Sequence, residues 1–311
     1  MAERDPRRIE AQIQAQIHAA REQIEAANER ASTRAGRNLP VAIGLGVVLG
    51  VTLLASLLLF KGVYVLFCSV LVAFTLYELA SALRFAGRDV PRLPLVVLGV
   101  ALQVATWFLG AEGLWYGALV AIVVVALYRL VEAAVVPSTR TGARAIATDI
   151  SAGAFCIAYC GVLGAFSVLL TAQPGGELWT LGFLGLAIVN DTGALAAGVL
   201  LGKTKLAPRI SPGKTWEGFG GAAVLVVAAA IVMGVLMLDV PFWYGAIIGV
   251  AILATATIGD LAESLIKRDL GIKDIGTFLP GHGGFLDRLD SSLPSAVVMY
   301  ALYEISRLAS L

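Results

Sequence analysis

Between Asp260 and Asp290 the chain gathers acids, bases and glycines that a plain connecting loop does not need. Asp260, Asp287 and Asp290 are hard oxygen donors of the kind that, with substrate phosphates, hold Mg2+. Lys267, Arg268, Lys273 and Arg288 suit phosphate oxygens, and Gly283 and Gly284 beside His282 let backbone N–H groups approach an anion closely. Asp260, Ser264 and Lys267 follow one another at i, i+4 and i+7, so an anion, a hydroxyl and a cation share one helix face. Together these residues point to metal-assisted phosphoryl or nucleotidyl transfer. His282 reads as a substrate-binding or loop-shaping residue, because a phosphate monoester already presents an anionic oxygen and needs no strong base.

A second polar stretch supports the same chemistry. Lys203 to Arg209 leads to Ser211-Pro212-Gly213-Lys214-Thr215-Trp216-Glu217-Gly218. Its Gly-Lys-Thr is not a P-loop, since Pro208 stands where that motif needs glycine and no strand precedes it. Ser211 and Lys214, at the entry to a helix, are still placed to bind phosphate.

The elements that carry these stretches are set by composition. At 58% hydrophobic and 14% charged residues, with mean hydropathy +0.84, the chain is far more apolar than a water-soluble domain needs to be. About nine apolar runs are long enough to cross a bilayer: 39–60, 62–83, 93–110, 113–135, 147–171, 178–201, 217–238, 241–266 and 291–308. The expected fold is therefore an all-α, polytopic integral membrane protein. With the N-terminus in the cytoplasm, every Lys and Arg except Lys61 and Arg307 falls on the cytoplasmic side. The longest polar connections, 202–216 and 267–290, then both face the cytoplasm, where a soluble substrate would meet them. Three regions follow: a charged tail over 1–38 with an amphipathic helical pattern, transmembrane helices over 39–171, and a catalytic transmembrane region over 172–311. The first apolar run begins only at Leu39, so no cleavable signal peptide is expected.

Acids inside apolar runs are expensive and invite functional readings. Asp191 lies deepest, and either lines a polar cavity or serves a structural hydrogen bond. Glu78, Glu132 and Asp149 lie nearer span ends, where pairing with a nearby Arg or snorkelling is the default. Cys68, Cys156 and Cys160 fall inside apolar runs and read as small packing groups. Net charge is only +1, and nothing suggests a nucleic-acid partner.

The run SLIKRDLGIKDIGTFLPGHGGFLDRLD, Ser264 to Asp290, resembles the signature of the phosphatidate cytidylyltransferases, or CDP-diacylglycerol synthases. DTGALAAGVLLGKTKLAPRISPGKTWEG, from Asp191, is similar to a second region of that family, although Asn190 and Leu195 depart from the usual pattern. The resemblance implies transfer of CMP from CTP to phosphatidic acid at the cytoplasmic face of the cell membrane, releasing pyrophosphate. It implies Mg2+ on Asp260 and Asp287, and leaves open a second, monovalent cation. Lys267 and Arg288 would act at the reacting phosphates, with Arg268, Lys273, Lys214 and Ser211 holding substrate. Ser264, Asp274, His282, Gly283, Gly284 and Asp290 carry over as substrate-site residues without an assigned step. A homodimer is expected by the same resemblance. Two rivals stand beside it: a CTP-dependent kinase of a polyprenol-type lipid, and a transporter working through Asp191.

Overall fold

The computed structural model describes residues 39–136, 142–276, 278 and 283–310. The amphipathic pattern of 1–38 and His282 lie outside them. By its contacts the chain divides into two compact units. One joins residues 1–51 with 279–282, and of it only the start of helix α1 (Leu39–Leu59) is described. The other, Thr52–Phe278 with Gly283–Leu311, holds all the structure considered below.

After α1 come α2 (Lys61–Phe85), α3 (Arg92–Val135), α4 (Ala143–Cys156), a π-helical turn (Ile157–Val162), α5 (Leu163–Ala172) and α6 (Gly176–Leu201). A short hairpin, β1 (Lys205–Ala207) and β2 (Ser211–Thr215), then precedes α7 (Trp216–Leu236), α8 (Phe242–Asp269), the single turn α9 (Leu286–Leu289) and α10 (Ser292–Leu308). Among the described residues six helical stretches are long and apolar enough to cross a membrane. The protein is a multi-pass, essentially all-α membrane protein.

One sharp bend and one departure from the sequence expectation have clear causes. α3 covers 44 residues, which as one straight helix would measure about 66 Å at 1.5 Å per residue, roughly twice a bilayer's hydrocarbon core. It is folded back on itself at Gly110, whose φ of 63° only glycine adopts readily. Side chains at Leu102 and Ala105 pack against Gly117 across the fold. The third and fourth apolar runs are thus the two arms of one helical hairpin. The departure is β1 and β2, which pair antiparallel with Lys205 opposite Thr215 and Ala207 opposite Ser211. The hairpin closes on the Ala207–Ile210 turn, and Thr215 then caps α7 by accepting the N–H of Gly218 at 3.1 Å. Strand pairing satisfies backbone groups that an extended loop at a membrane surface would leave unpaired.

The core forms two large clusters. One joins α2, both arms of α3, α4 and α5, and reaches Ile275, Leu286 and Leu293 of the Asp260–Asp290 region and its neighbour α10. The other joins α6, α7, α8 and α10. Both clusters draw on α10, so the polar stretch is seated on the N-terminal and the C-terminal helices alike. Cys68, Cys156 and Cys160 are buried, unbridged packing groups, as their sequence context suggests.

Candidate active site

α8 presents its polar face as the spacing predicts. Ser264 Oγ donates to Asp260 Oδ1 at 3.4 Å, and Lys267 stands one turn further on. The hairpin then closes over this face: Lys214 Nζ lies 2.6 Å from Asp260 Oδ2, and Arg268 Nε donates to the carbonyl of Ile210 at 3.3 Å. The two polar stretches, some fifty residues apart in sequence, therefore meet. Glu217 holds the hairpin's base by accepting the backbone N–H groups of Lys203 and Thr204 at 3.1 Å.

From the other side comes α9. Asp287 Oδ1 takes Lys267 Nζ at 3.0 Å, and its Oδ2 takes the N–H of Gly284 at 2.8 Å. Burial opposes charge on Asp287. A hydrogen bond shared with Glu263, the Gly284 N–H and the Lys267 ammonium outweigh that and hold its carboxyl below the usual range. Asp290 goes the other way: burial, then the neighbouring charge of Asp260, with Asp191 adding to it, push it up to about 7. Asp191 thus belongs to the same electrostatic cluster as Asp260 and Asp290, and Asn190 Nδ2 donates to its Oδ1 at 3.0 Å.

The structure also fixes where the other sequence-read residues stand. Ser211 and Lys214 line a cavity of about 350 Å³ with Asn190, Gly198, Phe219 and Thr257, within the size range of small-molecule sites. Lys273 and Asp274 lie exposed on the connection after α8, Asp274 close to Gly283. Arg288 is exposed on α9. Gly283 adopts a φ of 82°, in the left-handed region, and Gly284 is buried.

Three participants escaped the sequence reading. Glu263, only 1% exposed, lies 2.5 Å from Lys267 and so sits beneath both Lys267 and Asp287. Its signal was available, an i, i+4 Glu–Lys pair inside an apolar run. Tyr159, on the π-helical turn, has its hydroxyl in the field of Asp290, Glu263 and Asp260; π-turns recur at functional sites, but no local sequence feature announces one. Glu78 is not paired with an arginine, as expected for span-end acids. Its Oε2 accepts the N–H of Leu286 at 3.0 Å, more than two hundred residues away. Glu132 and Asp149, by contrast, do pair with Arg129, at 3.5 and 3.1 Å.

Among the described residues no group of three or more His, Cys, Asp or Glu is disposed to hold a metal ion. Mg2+ needs no such cage, since it is commonly held by one or two carboxylates with phosphates and water completing its shell. The donor set fits: Asp260 and Asp287 are half-buried carboxylates, each now neutralised by a lysine ammonium. In the same part of the fold Asn190 Oδ1 and Tyr159 Oη are buried without hydrogen-bond partners among the described residues. Buried polar atoms left unsatisfied at a charged cavity are what a site for a polyanion and its counter-ion provides.

The sequence profile of the cytidylyltransferase family matches residues 41–306. The phosphatidate cytidylyltransferase of Mycobacterium bovis is 38% identical over 252 residues, 80% of this chain and 82% of the relative. That of Mycobacterium leprae is 37% identical over 261 residues, 80% of this chain and 82% of its own length. The phosphatidate cytidylyltransferase of Bacillus subtilis is 46% identical over a shorter stretch of 114 residues, 36% of this chain and 42% of that protein.

Proposed function

The chain belongs to the cytidylyltransferase family, and on that premise we propose that it is a membrane nucleotidyltransferase moving CMP from CTP to phosphatidic acid. The products are CDP-diacylglycerol and pyrophosphate. In this reaction an anionic oxygen of the phosphatidate phosphate attacks the α-phosphorus of CTP. The bond from that phosphorus to the bridging oxygen breaks, and pyrophosphate leaves with the electron pair. No general base is required, because the attacking oxygen is already ionised.

One observation carries the assignment to these residues: the Lys214–Asp260 contact, which joins the hairpin to the acid-bearing face of α8. Lys214 and Lys267 neutralise carboxylates here, and with a triphosphate present both ammonium groups have a stronger anion to turn to. Asp260 and Asp287 would hold Mg2+, which when bound supplies charge compensation on the triphosphate. Arg268 and Arg288, exposed at the mouth, bind outer phosphates, while Ser211 and Ser264 offer hydroxyls. Asp290 and Asp191 set the negative field that makes cation binding favourable, and a monovalent ion is a second candidate for that field. The positive-inside distribution supports a cytoplasmic mouth at the cell membrane.

The test is turnover of purified protein in phosphatidate-containing vesicles with CTP and Mg2+. Equal release of pyrophosphate and CDP-diacylglycerol is the expected result. Release of CDP instead would favour a CTP-dependent lipid kinase. Asp260→Asn and Asp287→Asn are each expected to lower kcat by at least about a hundredfold, the scale of losing a group that offsets transition-state charge, while elution and thermal unfolding stay close to wild type. Intact turnover in either variant would remove the metal assignment.

A further inference from the structure

Glu78 lies on α2, a helix whose sequence announces nothing but a membrane span. Its carboxylate is 2% exposed, and it points at the signature stretch, not at lipid. Oε2 accepts the N–H of Leu286, the first residue of α9, at 3.0 Å. It thereby satisfies one of the N–H groups that a helix start leaves open, a task usually done by a capping side chain next door in sequence. One turn earlier on the same helix face, Phe74 stacks on Phe285, with ring centroids 4.6 Å apart and 15° between planes, and also meets Phe278 at 5.5 Å. Tyr77 closes on Phe278 from the next position, at 5.9 Å.

Two glycines make room for this contact. A Cβ on Gly276 would fall on the carboxylate and Cγ of Glu78, and on no nearer group. One on Gly284 would lie 2.6 Å from Glu78 Oε2 and 2.8 Å from the N of Gly276. The Gly-Gly pair that reads in the sequence as an anion-binding loop is, at Gly284, the seat of an internal carboxylate. Gly284 in turn donates to Asp287.

We infer that Glu78 is a positioning residue of the active site: from α2 it caps α9 and so fixes Asp287 against Lys267. The Phe74 clasp supplies adhesion, and Glu78 supplies register. Glu78 Oε1 meets no donor among the described residues, so a glutamine can keep the Oε2 contact while placing its NH2 on the unused side.

The experiment uses the full chain in vesicles and two independent readouts. In turnover, which rests on the reaction proposed above, Glu78→Ala is expected to lower kcat by about tenfold or more, the scale of losing a hydrogen bond to a charged group. It should also raise the Mg2+ concentration giving half-maximal rate. Glu78→Gln should stay within a few-fold of wild type on both measures. Gly276→Ala should imitate Glu78→Ala. In thermal unfolding, which needs no reaction, the Tm losses of Glu78→Ala and Gly276→Ala should fall short of adding in the double variant, because the three atoms nearest the added methyl all belong to Glu78. Additive Tm losses, or wild-type kcat and Mg2+ demand in folded Glu78→Ala, would overturn the proposal. A wild-type protein that releases no pyrophosphate, with a non-additive Tm cycle, would leave the latch standing and overturn the reaction instead.

Discussion

At the scale of single residues, the site is a cluster of acids whose charges are balanced unevenly. Asp287 has Lys267 and the Gly284 N–H, and its carboxyl is held low; Asp290, buried and facing Asp260 and Asp191, is held at about 7. The two acids are three residues apart and differ because Asp290 is the more deeply buried and faces Asp260, whereas Asp287 is held by hydrogen bonds and the Lys267 ammonium. This difference is measurable in metal-free protein. Infrared difference spectra should show a protonated carboxyl band that is absent in Asp290→Asn and titrates near pH 7. Asp260→Asn removes the largest neighbouring anion, which favours ionised Asp290, so the midpoint must move down. Added Mg2+ should move it in the same direction, because a nearby cation also favours the ionised form. A midpoint left unmoved by Asp260→Asn would show that burial alone sets it.

At the scale of elements, the hairpin β1–β2 is the mobile candidate and α8 the fixed one. α8 is packed into the second core cluster from Tyr244 to Leu253, whereas the hairpin is held largely by polar contacts: Lys214 to Asp260, Arg268 to Ile210, and Glu217 to Lys203 and Thr204. Of these, the Glu217 contact holds the hairpin to the start of its own helix and does not touch the acid cluster. Glu217→Ala is therefore expected to raise the KM for CTP several-fold with kcat kept near wild type, measured under saturating phosphatidate. An equal fall in kcat without a change in KM would place Glu217 in the chemistry instead.

At the scale of the whole molecule, the N-terminal helices are more than a membrane anchor. Arg129, 1% exposed on the second arm of α3, reaches Asp149 of α4 at 3.1 Å, Asp89 in the α2–α3 connection at 3.3 Å, and Glu132 at 3.5 Å. Asp149 also accepts the N–H of Asp89 at 3.2 Å. This network ties together α2, α3 and α4, and α2 carries Glu78 to the signature stretch. Arg129→Met leaves Asp149 buried without its guanidinium, which should cost about 3–5 kcal/mol of stability, the scale for breaking a buried pair. A large drop in Tm is expected, with turnover per folded molecule far less affected. An unchanged Tm would mean that the acids find other partners.

The sequence by itself determined the class of fold, the membrane, and most of the chemistry. Apolar runs of spanning length leave a chain few alternatives, because every backbone group in hydrocarbon must be satisfied internally. Within one helix the spacing of Asp260, Ser264 and Lys267 fixes a shared face, so that part of the site was legible residue by residue. Glu263 was legible in the same way and was overlooked. What only tertiary structure decided are the contacts between distant segments: Lys214 on Asp260, Glu78 under Leu286, and Tyr159 beside the acids. Helical periodicity reports which way a side chain points around its own axis, but not which helix it will meet. The Asp260–Asp290 stretch names the ligands; the packing of α2, α8 and α10 decides that they converge.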